Sequence, residues 1–501
     1  MVNQTARFLW VFGVYFLTLG VPIAPATAAK NEGFCPAQVS SAIAAISQRP
    51  ALNRARLGVA IQSLDPSHPP LYHRDAQQFF LPASNVKLLT TAAALTALGP
   101  QFQIQTQVYG TGAAPQLSNL RIVGGGDPSF TDAQLMEIAL HLQRQGVRHI
   151  QELIGDDRTF NGPSVVPTWE WEDLQAGYGA PVNSLILNRN AYVLKLWPQT
   201  QGQPLRVKWL SEVPDRPWRL LNRSQTVAPP NPESLEVVRT LNHSTLEIEI
   251  RGQLQAGAAP EEIDIAIVDP GWYLLRRLRH ILAIHQIQVD KLSLLREPFP
   301  SATADQNRPP EHLWMTIKSP PLTDLITTIN QQSNNLYAEA LLQQLGTHGP
   351  RLADHSALTA RAQGLAQLKQ TLTQLGVDPT TYQIVDGSGL SRHNLVSPIA
   401  LVQVLQGMAH SQHRQVFQAS LPIAGVSGTL KHRFVDTPAQ GILQAKTGTL
   451  SGVSTLSGYL NNPQFPPLVF SIMVNQYNQS GSDLTQTFND LVAVMTRLRS
   501  C

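Results

Sequence analysis

The two ends of this chain are written in one style and its middle in another, and that contrast limits the folds open to it. Near the start, residues 36–48 carry Val39, Ala42, Ile43 and Ile46 at helical spacing. Strand-like runs at 56–64 and 71–74 flank the turn Asp65-Pro66-Ser67-His68-Pro69-Pro70. A strongly apolar helix over 84–98 follows, stopped by Gly99-Pro100. From about 101 to 304 the runs are mostly strand-like (120–123, 235–239, 246–251, 263–268), with helices near 131–145 and 271–285. The compact style then resumes with a strand near 313–318, helices over 321–331 and 335–345, and strands over 440–447, 453–460 and 466–474. A closing helix gathers Leu484, Phe488, Leu491, Val492, Met495 and Leu498 on one face. The expected fold is α+β. One domain is built from 29–100 and 305–501, an antiparallel sheet flanked by helices, and 101–304 is a large, mostly β insertion.

With 501 residues there are about three domains' worth of chain. Basic and acidic residues nearly balance, 37 against 34, and the basic ones are scattered, which excludes a nucleic-acid-binding stripe. Neither a zinc-binding HExxH nor a phosphate-binding Walker A is present, and Gly124-Gly125-Gly126-Asp127-Pro128 reads as a tight turn, so no metal and no cofactor is expected. Residues 1–28 read as a secretory signal: Arg7, an apolar run over 8–21, then Ala26-Thr27-Ala28, with cleavage expected after Ala28. The apolar run is shorter than the roughly 17–25 residues a spanning helix needs, which disfavours an uncleaved anchor. The expected location is the periplasm or cell-wall space, with peripheral membrane attachment left open. Two cysteines exclude a disulfide-rich scaffold. Cys35 and Cys501 are expected to pair in an oxidising compartment if the ends meet; two unrelated terminal thiols are the alternative.

Three short motifs carry chemistry. Ser84 and Lys87 stand one turn apart at the start of a helix that is otherwise almost wholly aliphatic. Burial there would disfavour a charged amine and leave it able to take a proton from the hydroxyl. Ser333-Asn334-Asn335 falls between two helices, and Lys446-Thr447-Gly448-Thr449 ends a strand, where a cation beside a flexible glycine can hold a carboxylate. Each alone is equally an N-cap, a polar turn or a hairpin end. In this order and context they resemble the S-x-x-K, S-D-N, K-T-G signature of penicillin-binding proteins and class A β-lactamases, the middle motif keeping its first and third residues.

With these motifs the sequence resembles the class C low-molecular-weight penicillin-binding proteins, the D-alanyl-D-alanine carboxypeptidase/endopeptidase family. The long interval between Ser84 and Ser333 is the discriminator, because class A β-lactamases keep their first two motifs some tens of residues apart. The segments 333–339, 386–392, 155–157 and 178–182 are similar as well. The resemblance implies a serine β-lactamase/DD-peptidase-like fold and a set of roles. Ser84 attacks the carbonyl between the terminal D-alanines of a peptidoglycan stem peptide and Lys87 takes its proton. Ser333 and Asn335 relay protons and hold the substrate amide. Lys446 and Thr447 bind the terminal carboxylate, and the N–H groups of Ser84 and Thr449 form the oxyanion hole. β-Lactam antibiotics would acylate Ser84. Asp156 or Asp157, with Phe160, Arg392 and Ser451, are the implied contacts for the free amine of the stem peptide's diamino acid. Asp386-Gly387-Ser388-Gly389 reads as a turn, since it lacks a G-x-S-x-G elbow.

Two other readings compete. A β-lactamase would need a deacylating glutamate, and no E-x-x-L-N segment supplies one. A catalytically silent wall-binding protein would not need Ser84, Lys87, Ser333, Asn335 and Lys446 all intact.

Overall fold

The computed structural model describes residues 33–211, 218–242, 245–296, 310–350, 358–478 and 481–501. The expected signal segment 1–28 and most of the Pro-rich stretch 298–310 lie outside them. Chain order begins with α1 (Val39–Ser47), β1 (Arg56–Ser63), β2 (Tyr72–Arg74) and α2 (Val86–Leu98). The first ten residues of α2 offer no exposed face: every residue from Val86 to Leu95 is buried, as befits a stretch that is aliphatic apart from Lys87, Thr90 and Thr91.

The middle of the chain contributes β3 (Gln105–Ala113), β4 (Gln116–Val123), α3 (Asp132–Arg144) and β5 (His149–Asp156). It continues through β6 (Ala191–Trp197), β7 (Arg206–Trp209), β8 (Trp218–Val227), β9 (Ser234–Asn242), β10 (Thr245–Gln255) and β11 (Glu261–Ala266). It ends with α4 (Pro270–Ile284), β12 (Gln288–Leu295) and β13 (His312–Lys318). These strands form a five-stranded sheet ordered β12-β5-β4-β3-β13 and two three-stranded sheets, β8-β10-β9 and β11-β6-β7. Helices α3 and α4 pack with them around a separate apolar core. The expected division between 304 and 305 would put β13 with the C-terminal part. Its hydrogen bonds go instead to β3, with Lys318 opposite Gln105, so the strand returns to the inserted sheet before the chain leaves it. A strand run alone shows no partner, and the sequence did not reveal this pairing.

From there run α5 (Leu322–Gln332), α6 (Asn335–His348), α7 (Ala360–Gln374), the short pair β14 (Tyr382–Gln383) and β15 (Leu395–Val396), α8 (Pro398–His410) and α9 (Arg414–Ala419). The chain closes with β16 (Leu443–Leu450), β17 (Val453–Leu460), β18 (Leu468–Asn475) and α10 (Gly481–Thr496). One antiparallel sheet, ordered β16-β17-β18-β1-β2, joins the two ends of the chain, with Arg56 opposite Asn475 and Ser63 opposite Leu468. Successive strand residues face opposite ways. Val469 and Met473 therefore join the core with α2, α5, α6 and α8, while Phe470 and Ile472 join the core with α1 and α10. Beside α1 and α10, Phe34 exchanges main-chain hydrogen bonds with Arg497 and Arg499, and Cys35 and Cys501 are disulfide-bonded.

Candidate active site

Ser84 lies in the single turn Ala83–Asn85 that leads into α2. That turn is stapled to the sheet. The Asn475 amide accepts from Leu81 N–H (2.7 Å) and donates to Leu81 C=O (3.2 Å). The Thr455 hydroxyl donates to Pro82 C=O (3.0 Å), and Asn85 Nδ2 donates to Ser457 Oγ (2.8 Å). Ala83 holds a left-handed φ of 46°, a conformation unusual for a residue with a side chain. Its carbonyl packs so closely on Gly389 that a Cβ there would sit 1.8 Å from the oxygen. The nucleophile is thus presented on a strained and well-held turn.

One helical turn further on, Lys87 is completely buried. Its Nζ stands 2.9 Å from Ser84 Oγ, 2.7 Å from Asn335 Oδ1 and 2.6 Å from the Ser388 carbonyl. An ammonium can donate to all three. A neutral amine can donate to Asn335 and Ser388 and keep its lone pair for the Ser84 proton. Burial lowers its pKa to about 7, against the opposing pull of the Asp386 and Glu339 carboxylates.

The loop after α5 explains the wording of Ser333-Asn334-Asn335. Ser333 caps the C-terminus of α5 in a left-handed conformation (φ 57°). Asn334 is the N-cap of α6, its side chain accepting from Tyr337 N–H at 3.1 Å. Asn335 is the first residue of α6, and its Nδ2 donates to the Tyr178 carbonyl (3.0 Å), which the insertion supplies. The middle residue is there for the cap; the outer two reach the site.

Lys446, also fully buried, comes from β16 at the sheet edge. Its Nζ donates to Ser333 Oγ (2.9 Å) and to Thr447 C=O (2.8 Å), and burial together with the Lys87 charge holds its pKa well below the usual lysine range. The Thr447 hydroxyl donates to Thr429 Oγ1 (2.9 Å). Gly448 crosses directly over the nucleophile turn: a Cβ there would lie 2.9 Å from Pro82 O and 3.0 Å from Ser84 N. The exposed Thr449 follows on the same edge. On its outer side β16 is bridged by residues 422–424 at Leu443–Ala445, so only the edge beyond, from Lys446 on, is available to an extended peptide.

The insertion's expected contacts divide. Arg392 reaches the mouth of the site, donating to Ser451 C=O (3.1 Å) and pairing with Glu170 (2.9 Å). Phe160 is buried in a small apolar cluster with Leu336 and Leu390. Asp156 and Asp157 do not fit an amine-binding role. Asp156 is ion-paired with Arg121 (2.8 Å) and Arg158 (2.5 Å); burial works against its charge, but the two arginines hold the carboxyl below the ordinary range. Asp157 accepts from the Asn183 side chain and from Ser184 and Leu185 N–H. Both carboxylates are committed within the insertion, a commitment that no sequence pattern displays.

Several contributors escaped sequence reasoning. Asp386 accepts from Gly389 N–H (2.8 Å), Ser391 N–H (2.7 Å), Trp169 Nε1 (3.0 Å) and Asn394 Nδ2 (2.8 Å), which shapes the turn that offers the Ser388 carbonyl to Lys87. Glu339, Tyr178 and Thr429 also had no distinguishing signal. The stretches 178–182, 333–339 and 386–392 stand out in the sequence by family similarity, and 386–389 also as a turn, but nothing in them assigns a role to Tyr178, Glu339 or Asp386.

The chain belongs to the D-Ala-D-Ala carboxypeptidase 3 (S13) family, which matches over residues 39–498. Within it, the chain is 31% identical over 451 residues to the D-alanyl-D-alanine carboxypeptidase of Actinomadura sp. (strain R39), covering 87% of this chain and 80% of that protein. It is 29% identical to the penicillin-sensitive carboxypeptidase A of Dictyostelium discoideum, with 84% and 82% covered. Among solved structures it is similar to penicillin binding protein 4 from Haemophilus influenzae, with a TM-score of 0.74 at 24% identity, over 91% of this chain and 99% of that one. That likeness shows a shared α+β fold, as expected.

Proposed function

We propose that this chain is an exported serine DD-peptidase that hydrolyses the D-Ala-D-Ala termini of peptidoglycan stem peptides through an acyl-enzyme on Ser84, and that penicillins acylate the same serine. The observation that carries this reading is the buried Lys87 amine, within hydrogen-bond reach of both Ser84 Oγ and Asn335 Oδ1. Ser84 Oγ attacks the carbonyl carbon between the two D-alanines, and its proton passes to Lys87 Nζ. The developing oxyanion is received by the N–H groups of Ser84 and Thr449, which the crossing at Gly448 draws together. Lys446 and Thr447 take the terminal carboxylate, whose charge compensates an ammonium that burial otherwise disfavours. The C–N bond breaks as Lys87 passes the proton it took from Ser84 through the Ser333 hydroxyl, held by Lys446, to the departing D-alanine nitrogen, which leaves Lys87 neutral again. Asn335 holds the substrate amide. A water molecule then attacks the ester carbonyl and gives a proton to Lys87, which passes it to Ser84 Oγ as the C–O bond breaks, freeing the serine and the acid product.

A DD-crosslink presents the same D-Ala carbonyl with a diamino-acid amine as leaving group, and the open edge of β16 suits either. Export is supported by the character of segment 1–28 and by the Cys35–Cys501 disulfide. Among the described residues, no helix is long and apolar enough to cross a membrane. The test compares the parent and Ser84→Ala. The parent should release D-alanine from stem pentapeptides and form a long-lived adduct with a fluorescent penicillin, and Ser84→Ala should do neither. Retention of both by the variant overturns the reading. Mass spectrometry of crosslinked muropeptide dimers separates terminal trimming from crosslink cleavage.

A further inference from the structure

Beneath Lys87 lies a second buried carboxylate that the reaction above does not use. Glu339 sits on α6, one turn beyond Asn335, and is fully buried. Its Oε1 accepts from Gly387 N–H (2.9 Å) and Ser388 N–H (2.8 Å), while Oε2 has no hydrogen-bond partner. The carbonyls of the same two residues face the nucleophile helix: Gly387 C=O accepts from the Thr90 hydroxyl (2.8 Å) and Ser388 C=O from Lys87 Nζ (2.6 Å). One short turn is therefore gripped by Glu339 on its amide side and by α2 on its carbonyl side. A buried acid with an idle oxygen is costly to keep. Two amides could be satisfied by a neutral glutamine or an ordered water, so the hydrogen bonds alone do not explain a carboxylate at this place.

We propose that Glu339 is a positioning residue for Lys87: through the Gly387 and Ser388 amides it aims the Ser388 carbonyl at Nζ, and its charge sets how readily that amine takes the Ser84 proton. The charged groups around Glu339 fit this role. Asp386 presses on it from the turn, Arg361 on α7 opposes that pressure, and Lys87 faces the pair from α2, with Lys446 on β16 beyond it. Burial and Asp386 push the Glu339 carboxyl up to about 7, close to where Lys87 itself titrates. The Glu339 charge in turn raises the pKa of the Lys87 amine against its burial.

The inference rests on Lys87 as the base, and the experiment separates the two ideas. Acylation by a fluorescent penicillin is followed against pH in the parent, Glu339→Gln and Glu339→Asp, each checked for cooperative thermal unfolding. The parent's rate should fall on the acid side; a flat profile there removes Lys87 as the base, and this inference with it. Given that limb, Glu339→Gln keeps an oxygen for the two amides but removes the anion. Its limb should move to lower pH by about 0.5–1 unit. Glu339→Asp keeps the charge but withdraws it from the amides. Its limb should stay near the parent's while the plateau rate drops about tenfold or more. A folded Glu339→Gln whose limb coincides with the parent's overturns the electrostatic role. If that variant does not fold, a Glu339→Asp plateau equal to the parent's overturns the positioning role.

Discussion

Lys87 Nζ and Asn335 Oδ1 lie 2.7 Å apart although 248 positions separate them in the chain. The contact is possible because α2 and α6 pack side by side in one core while the whole insertion loops out between them and returns. It also ties the insertion to the chemistry, since the other end of the Asn335 amide is held by the Tyr178 carbonyl. The nucleophile helix and the insertion meet at a single side chain.

The first expected outcome concerns pH. Lys87 is a base only when neutral, and burial brings its pKa to about 7, so the active form gains population as pH rises through that value. The second-order rate constant for penicillin acylation should therefore rise with pH and level off above it, with its midpoint near pH 7. Lys446 acts as a cation, and its pKa also lies below the usual lysine range. A falling limb should follow on the alkaline side, earlier than an exposed lysine would give. Stopped-flow acylation between pH 5 and 10 reads both; a rate that declines steadily from acid to alkali contradicts the assignment of Lys87.

Much of this site was legible in the sequence because helix starts, strand ends and turns each have residue-level signatures. Ser84 and Lys87 share a helical face by spacing alone, and β16–β18 show strand composition and length. What stayed hidden was pairing. β13 reads as a strand whichever sheet it joins, and only its register against β3 assigns it to the insertion. Asp156 and Asp157 look available in sequence because the partners that occupy them, Arg121 on β4 and the 183–185 backbone, are remote in the chain. The Gly387–Ser388 turn looks like punctuation until its carbonyl is found against Lys87.

A second outcome follows from the crossing at Gly448. A methyl group there would meet Thr455 Oγ1 at 2.3 Å, Pro82 O at 2.9 Å and Ser84 N at 3.0 Å. Two of these three are backbone, so β16 must lift away from the nucleophile turn. Gly448→Ala should lower acylation on the order of 100-fold, since misplacement by about 1 Å costs that much. The sheet still pairs through β17, so cooperative unfolding should persist. A Gly448→Ala enzyme acylated at the parent's rate would show that the N–H groups of Ser84 and Thr449 do not act together.

The third outcome concerns the ends of the chain. The Cys35–Cys501 disulfide closes a loop of 466 positions, next to the strand-like contact of Phe34 with Arg497 and Arg499. Chain-entropy arguments assign large effects to so long a loop, but measured bridges typically contribute about 2–4 kcal/mol. The Cys35→Ser/Cys501→Ser double variant should lose stability on that scale in urea. The bridge sits on the α1 and α10 side of the sheet, whereas Lys87 and Asn335 lie on the helices of the other side, so acylation of the folded variant should match the parent's. A variant that unfolds at the parent's urea concentration would mean that the main-chain contacts of Phe34 hold the termini without covalent help. A folded variant with slowed acylation would mean that the bridge acts on the site through the sheet.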